Sequence, residues 1–258
     1  MTERTPVLAT RGISKWFGPV KALTNIDFEV YPGEVVALIG DNGAGKSTLI
    51  NVITGVLPHE EGEIIFEGKS VKLTPQEARR LGIETVYQDL AIAPHRDSVA
   101  NIFLGREYRQ PGILGKMGFL DSKRMRSDTL QQLSRLRVRI KNIDRRMTTL
   151  SGGQRQGVAV ARSVRWASKV VIMDEPTAAL GVAQSGMVLD LIKEVRNSGI
   201  PIIFISHNMP HVFEVADRIE VMRLGELVAH LDPKTNSIDD AVSAMTGSIR
   251  VPTGATIK

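Results

Sequence analysis

Residues 34–50 read EVVALIGDNGAGKSTLI. Val35 to Ile39 run unbroken to Gly40, and a short continuous apolar run of this kind reads as a buried strand. The segment "LINVITGVL" (49–57) reads as a helix. Between them Gly40–Thr48, GDNGAGKST, matches G-x-x-x-x-G-K-[ST] in the strand–loop–helix setting that this motif requires. Gly40, Gly43 and Gly45 let the backbone curl so that successive N–H groups, with Asn42 and Ala44 in the same loop, face phosphate oxygens. The helix N-terminus adds its partial positive charge. Lys46 then reaches the β and γ phosphates of a nucleotide, Ser47 is placed to ligate Mg²⁺, and Thr48 can hydrogen-bond a phosphate oxygen. The bland alternative, a glycine-rich turn capping a helix, loses ground in this setting. A dinucleotide fingerprint G-x-G-x-x-G is absent, and Lys46 would have no role in one. The segment predicts a nucleotide-phosphate site.

A second stretch, KVVIMDEPTAALGVAQ (169–184), runs four apolar residues into two adjacent carboxylates, Asp174 and Glu175. Neighbouring acids at the mouth of a buried strand repel each other and are costly to desolvate. Alone they would be read as a solvated strand end. Beside a phosphate loop they acquire a partner, because a Mg²⁺–nucleotide complex needs a carboxylate there. Asp174 is the candidate for holding Mg²⁺ through water, and Glu175 for positioning or deprotonating an attacking water.

Three further stretches are ambiguous on their own. "LSGGQRQGVAVARSV" (150–164) is a Ser-Gly-Gly cap followed by a helix; Ser151 suits an N-cap, and the two glycines let an anion approach exposed N–H groups. An ordinary N-cap with a flexible lead-in explains it equally well. His207, in "FISHNM", follows a third apolar run and could be a packed polar residue. Gln88, in "TVYQDL", could be any exposed loop glutamine.

The runs 34–40, 169–175 and 200–206 alternate with helical stretches, which argues for a largely parallel α/β sheet. Earlier segments, "ALTNIDFEV" and "GEIIFEGKSV", alternate and lie near turn signals, so they read as antiparallel, half-exposed strands. Residues 95–160 carry no convincing strand and read as helical. Beyond about 230 the chain turns polar, then carries one short helix and the tail "GSIRVPTGATIK". With 42% apolar and 24% charged residues over 258 positions, the composition is that of a soluble globular protein. No cysteine is present, which excludes disulfides and thiolate metal sites. The N-terminus lacks a signal-peptide core, and no apolar run approaches the roughly 20 residues of a membrane span. Net charge is +5. It is concentrated in 121–146, where nine Lys or Arg face Asp121, Asp128 and Asp144. That stretch reads as a solvated helical face, or as a surface for an anionic membrane or nucleic acid. The absence of interleaved aromatics weakens the nucleic-acid version.

Taken together, these motifs resemble the ATP-binding cassette (ABC) ATPases over roughly residues 7 to 230. "GDNGAGKS" looks like the Walker A loop, Gln88 the Q-loop, "LSGGQ" the signature, "VVIMDE" the Walker B strand and His207 the switch histidine. "LSGGQ" is the most specific of these, since other P-loop classes lack it. The resemblance implies an α/β fold: a P-loop NTPase (RecA-like) core with an N-terminal antiparallel β subdomain and a helical signature subdomain. It implies one cassette over 1–230, with a nucleotide-binding core at about 1–90 and 158–230 and a helical subdomain at about 91–157. A C-terminal helix and tail would fill 231–258. It further implies ATP and Mg²⁺ as ligands. Ser47, Gln88 and Asp174 would then serve the metal, Glu175, His207, Gln88 and Lys46 hydrolysis, and Phe17 (or neighbouring Trp16) would stack on adenine. Ser151, Gly152, Gly153 and Gln154 would contact the ATP of a second cassette, most simply an identical copy in C2 symmetry.

Transporters of this family dock on membrane permease subunits, here through about 88–107, and indirectly serve a solute-binding protein. The expected place is the cytoplasmic face of the inner membrane, without nucleic acid. "VANIFLGRE", "GDNGAGKST" and "FISHNM" look most like the ATPases of bacterial importers for ribose, xylose or fructose. The alternatives are an importer ATPase for another solute, such as an amino acid, or a soluble ABC ATPase. An Asn-Lys-x-Asp guanine reader is absent, and a small-molecule kinase would not need "LSGGQ". One departure stands out. Where the family usually reads "SALD", this chain reads "AALG", so the carboxylate expected to couple the two sites is replaced by Gly181.

Overall fold

The computed structural model describes residues 5–86, 90–167, 169–178 and 180–248. β1 (Leu8–Phe17) and β2 (Val20–Val30) form an antiparallel hairpin with several register shifts along β1. The chain continues through β3 (Val35–Ile39), the phosphate-loop segment and α1 (Lys46–Ile53). β4 (Glu61–Phe66) and β5 (Lys69–Val71) then complete a four-stranded antiparallel sheet in the order β2-β1-β4-β5. α2 (Pro75–Arg80), capped by Thr74, leads into β6 (Ile83–Val86).

The middle of the chain is helical: α3 (Ser98–Phe103), α4 (Ile113–Lys116), α5 (Ser122–Arg135) and α6 (Gly152–Trp166). Asp97, Asp121 and Ser151 cap α3, α5 and α6 through their side chains, as short polar residues do at helix starts. Strands and helices then alternate as β7 (Val170–Asp174), α7 (Val182–Asn197), β8 (Ile202–Ile205), α8 (Met209–Val215), β9 (Arg218–Arg223), β10 (Glu226–Leu231) and α9 (Ile238–Thr246). The second sheet has the order β10-β9-β3-β8-β7-β6 and is parallel except for β10.

Period-2 geometry divides its apolar strands between two cores. Val36, Leu38, Val170, Ile172 and Ile203 pack with α1 and the antiparallel sheet. Val35, Ala37, Ile39, Val171, Met173 and Phe204 pack with the helices on the opposite face. Each of these strand residues is fully buried, so β3, β7 and β8 have no wet face.

The three expected parallel strands are present, slightly shorter than read, with β8 lying between β3 and β7. β1, β6, β9 and β10 escaped the sequence reading, and "GEIIFEGKSV", read as one strand, folds as the antiparallel pair β4 and β5 because the chain turns at Glu67 and Gly68. β9 reads "RIEVMR", and its Glu220 is almost fully buried, paired with Arg218 on the same strand and in contact with His230 of β10. A charge that looks solvent-facing in sequence is here buried with partners, which hides the strand.

α6 is pinned to the chain after α5 by one tight contact. A Cβ built on Gly157 would stand 2.7 Å from Val138 Cγ1. Helix propensity alone favours Gly157→Ala by about 1 kcal/mol. Overpacking costs about 1–3 kcal/mol and is expected to win. Gly157→Ala should therefore lower stability in denaturant unfolding, and Val138→Ala in the same chain should recover most of the loss. A simple gain in stability would show that this contact yields freely.

Candidate functional site

Strands β3, β7 and β8 run parallel, so their carboxyl ends open on one edge of the sheet, where α/β folds place ligands. A cleft of about 620 Å³ lies there, lined by Gly40 through Thr48, Asp174, Glu175, Ile205, His207, Ala22 and Met245. Three stretches distant in sequence thus meet around one space.

The loop is shaped by β2 pressing on it. Gly45 has φ 105°, and a Cβ there would lie 2.9 Å from the Ala22 carbonyl oxygen, so only glycine fits. α1 starts immediately after it, with no side-chain cap and no acid in its first turn. Its first N–H groups therefore lack an internal acceptor, the condition for receiving an anion. Lys46 folds back over the loop, donating to the carbonyls of Gly40 (2.6 Å) and Asp41 (2.9 Å). Burial lowers its pKa, and the fields of Glu175, Asp41 and Asp174 oppose that shift.

On the facing side, Asp174 closes β7 and burial raises its pKa, with Glu175 adding to the rise and Lys46 opposing it. Glu175 N–H still donates to the Ile205 carbonyl at 2.9 Å, but its φ of 48° places the residue in the left-handed region. Such a backbone is costly for a non-glycine residue and turns the side chain out of the strand's alternation. Glu175 Oε1 accepts from the His207 backbone N–H at 3.0 Å and lies 2.8 Å from His207 Nδ1. Ser206 Oγ donates to its second oxygen at 3.4 Å. The carboxylate is largely buried while the His207 ring is 76% exposed, so the ring can move away without unpacking the core.

The metal implied by the sequence can be tested against these donors. Among the described residues no cluster of three His, Cys, Asp or Glu side chains is present. An all-protein cage is thus excluded there, while Mg²⁺ typically takes one or two carboxylates and completes its shell with water and phosphate oxygens. A desolvated Asp174 that lines the same cleft as Ser47 fits that ion.

The signature residues do not line the cleft of their own chain. Ser151 Oγ accepts from Gln154 N–H (3.2 Å), and Gln154 Oε1 accepts from Ser151 N–H (3.1 Å), a complete capping box. Gly152 faces Leu180 and Gly153 faces Gln184, whose Cβ would be 3.1 Å from an added methyl group. Gln184 Oε1 in turn accepts from Gly181 N–H at 2.9 Å. Phe17 is 47% exposed, with the Lys15 ammonium 5.3 Å from its ring centroid, and neither it nor Trp16 lines the cleft. The β1–β2 hairpin places both near it, since Trp16 pairs with Lys21, one residue before Ala22. Gln88 lies outside the described residues.

Sequence reading missed Ser206, Asp41, Ala22 and Met245 as neighbours of the site. Ser206 and Asp41 carried a local signal, the one beside His207 in "FISHNM" and the other inside the phosphate loop.

A family model described as "ABC transporter" matches residues 23–178. The chain is 54% identical over 250 residues to a fructose import ATP-binding protein of Rhizobium meliloti, covering 96% of both chains. It is 44% identical to a xylose/arabinose import ATP-binding protein of Sulfolobus acidocaldarius, covering 93% of this chain and 94% of that one. Among solved structures it resembles the ADP conformation of MJ1267, an ATP-binding cassette of an ABC transporter, with a TM-score of 0.77 and 28% identity over 94% of this chain and 95% of that one.

The raised pKa of Asp174 means that its ionised form is penalised in the folded chain, most fully above the folded pKa. The penalty vanishes once both states are protonated. Asp174→Asn should therefore raise the thermal midpoint of the nucleotide-free chain at neutral pH, and the advantage should shrink as pH falls through the carboxylate range. An advantage that stays constant with pH would assign the gain to something other than the buried charge.

Proposed function

The chain belongs to the ABC transporter family, and from that membership we propose that it is the ATP-hydrolysing subunit of an ABC importer for a monosaccharide. The observation that carries the chemistry is the meeting of Lys46, Asp174 and Glu175 around one cleft at the strand ends. The sugar-import names of the 54% and 44% identical relatives support the substrate class. The loop Gly40–Thr48 binds the triphosphate: the N–H groups of Asn42 to Ser47 and the start of α1 face its oxygens, and Thr48 adds a hydroxyl. Lys46 leaves the Gly40 and Asp41 carbonyls for the β and γ phosphates, exchanging neutral partners for charged ones. Ser47, Asp174 and Gln88 would hold Mg²⁺, which would withdraw negative charge from the phosphate oxygens.

Glu175 takes the proton of the attacking water. Its left-handed backbone and the His207 N–H fix where the carboxylate stands, and the His207 ring, already 2.8 Å from it, orients it and reaches toward the γ phosphate. Each chain carries a phosphate loop and, away from its own cleft, Ser151, Gly152, Gly153 and Gln154. Two cassettes in head-to-tail C2 symmetry would bring each signature to the other's γ phosphate. ATP closes that dimer and hydrolysis reopens it. Gly181 presents no carboxylate to the second site. The motion passes to membrane permease subunits docked around residues 88–107, and a solute-binding protein delivers the sugar to them. The chain works as a peripheral subunit at the cytoplasmic face of the inner membrane; no helix among the described residues is long and apolar enough to cross one.

Two substitutions separate binding from chemistry. Lys46→Ala should weaken ATP binding at least about tenfold, the scale of one charge-assisted contact to phosphate; unchanged affinity in calorimetric titration would remove Lys46 from the phosphate site. Glu175→Gln should leave nucleotide binding intact, cut turnover by about 10²–10⁴-fold, and accumulate an ATP-bound dimer in size-exclusion chromatography. Wild-type turnover in that variant would exclude Glu175 as the base. Specific activity should rise with protein concentration if the site is shared between two chains, and strict proportionality down to dilute samples would argue for a site complete in one chain.

A further inference from the structure

Residues 110–120, QPGILGKMGFL, contain no acid, and they present the densest group of exposed large apolar side chains among the described residues. Ile113 is 76% exposed, Met117 68% and Phe119 53%, with Leu114 and Leu120 close behind. Isolated exposed leucines need no explanation, but five such side chains within eight residues form a patch that does.

The segment is built rather than frayed. Gln110 N–H donates to the Phe119 carbonyl (2.9 Å) and Asp121 N–H to that of Tyr108 (2.8 Å), closing the neck of the tip. Within it, Met117 N–H donates to Ile113 O and Phe119 N–H to Leu114 O, each at 3.0 Å. Gly115 packs so closely on the Gln110 carbonyl that a methyl group would collide with it. The backbone thus satisfies much of its own hydrogen bonding while the apolar side chains point outward. This is what a segment entering an apolar medium requires, since no water remains there to bond exposed N–H and C=O groups.

Charge identifies the medium. Residues 108–126 hold five basic side chains against one acid, Asp121. That acid accepts the Arg124 N–H as the cap of α5, and Arg126 pairs with Asp144. Arg109, Lys116 and Lys123 have no acidic partner among the described residues; Lys116 lies within the tip and the other two flank it, Arg109 bridging to Leu120. Apolar side chains flanked by unpaired cations complement an anionic phospholipid surface: the former enter the acyl boundary and the latter meet headgroup phosphates.

We infer that the tip 110–120 is a lipid anchor, seating Ile113, Met117 and Phe119 in an anionic bilayer with Arg109, Lys116 and Lys123 at the headgroups. Its root is stiff. Tyr108 stands edge-on to Phe103 with centroids 4.9 Å apart, and Arg165 of α6 hydrogen-bonds both Tyr108 and Asp128. The anchor is thereby tied to the helix that begins at Ser151. It adds a direct membrane contact to the permease docking proposed above and does not depend on ATP chemistry.

The test is flotation of the full chain, without nucleotide, with phosphatidylcholine vesicles carrying about 30% phosphatidylglycerol. The chain should float with these vesicles and at least about tenfold less with phosphatidylcholine alone, and its binding should fall with salt. Ile113→Asp with Met117→Asp should reduce binding at least about tenfold while leaving the thermal midpoint and the ATP turnover of the isolated chain unchanged. Lys116→Glu with Lys123→Glu should abolish the preference for anionic vesicles. A Phe119→Trp chain should shift its emission to the blue on vesicles and be quenched by brominated acyl chains. Failure of the native chain to float, equal binding to neutral vesicles, or undiminished flotation of the aspartate variant would each overturn the anchor. Should the chain not float while the aspartate variant fails to assemble with its purified permease in detergent, the patch is a protein-docking face and the lipid assignment is wrong.

Discussion

Charge held at the open edge of a doubly buried sheet is the constraint on which the rest of the structure depends. β3, β7 and β8 have no wet face, so polar chemistry can emerge only where the strands end. At that edge the chain collects one ammonium and two carboxylates. Lys46 rests on neutral carbonyls, and Asp174 carries a pKa raised by burial and by Glu175. Among the described residues, Lys46 and Asp174 thus meet no full counter-charge in direct contact, while Glu175 is held by Ser206 and His207. Such an arrangement is a poor investment for stability alone and becomes sensible once a polyanion and a divalent cation share the space.

The same economy explains the backbone. Glu175 adopts a left-handed conformation although a side chain there is disfavoured, and the hydrogen bond from its N–H to Ile205 holds it in register with β8. The strain moves the carboxylate to where Ser206 and His207 meet it, next to Asp174 but with different neighbours. Two adjacent acids thereby acquire different environments, which is how one short sequence can assign them different roles.

What could be read from the sequence follows from the range of the interactions. The phosphate loop was legible because its requirements are local: glycines for the curl, a lysine and hydroxyls at the helix start. β2, β4 and the apolar β3, β7 and β8 were legible from their periodicity, whereas β1, with its register shifts, was not. β9 was not, because a buried Glu220, paired with Arg218 on its own strand and touching His230 of β10, breaks the apolar run that marks a buried strand. The contact of His207 with Glu175 joins residues 32 apart and depends on two strand ends aligning, so the histidine alone stayed ambiguous. "GILGKMGFL" was passed over as part of a helical stretch. Its apolar spacing suits a buried helix face, and only the fold reveals that the helix is four residues long and that the large apolar side chains in it and after it stand in solvent.

Gly181 now reads differently. In sequence it is a missing carboxylate. In the structure the position is filled by a local arrangement: the Gln184 amide accepts the Gly181 N–H, and its stem packs on Gly153 of the signature. The segment that follows the two acids therefore touches the signature of its own chain through neutral, close-packed contacts. A carboxylate reaching across a dimer would report the charge at the other site, falling off with distance and screened by salt. A packed glutamine transmits displacement instead, because a tight van der Waals contact yields little before its neighbour moves. On the proposed reading, a shift of the strand end at Glu175 reaches Ser151 mechanically, within one chain, and α6 carries it through Arg165 to the exposed tip at 110–120. On that reading, a glycine where the family carries aspartate would exchange an electrostatic link between two sites for a steric one within a single chain.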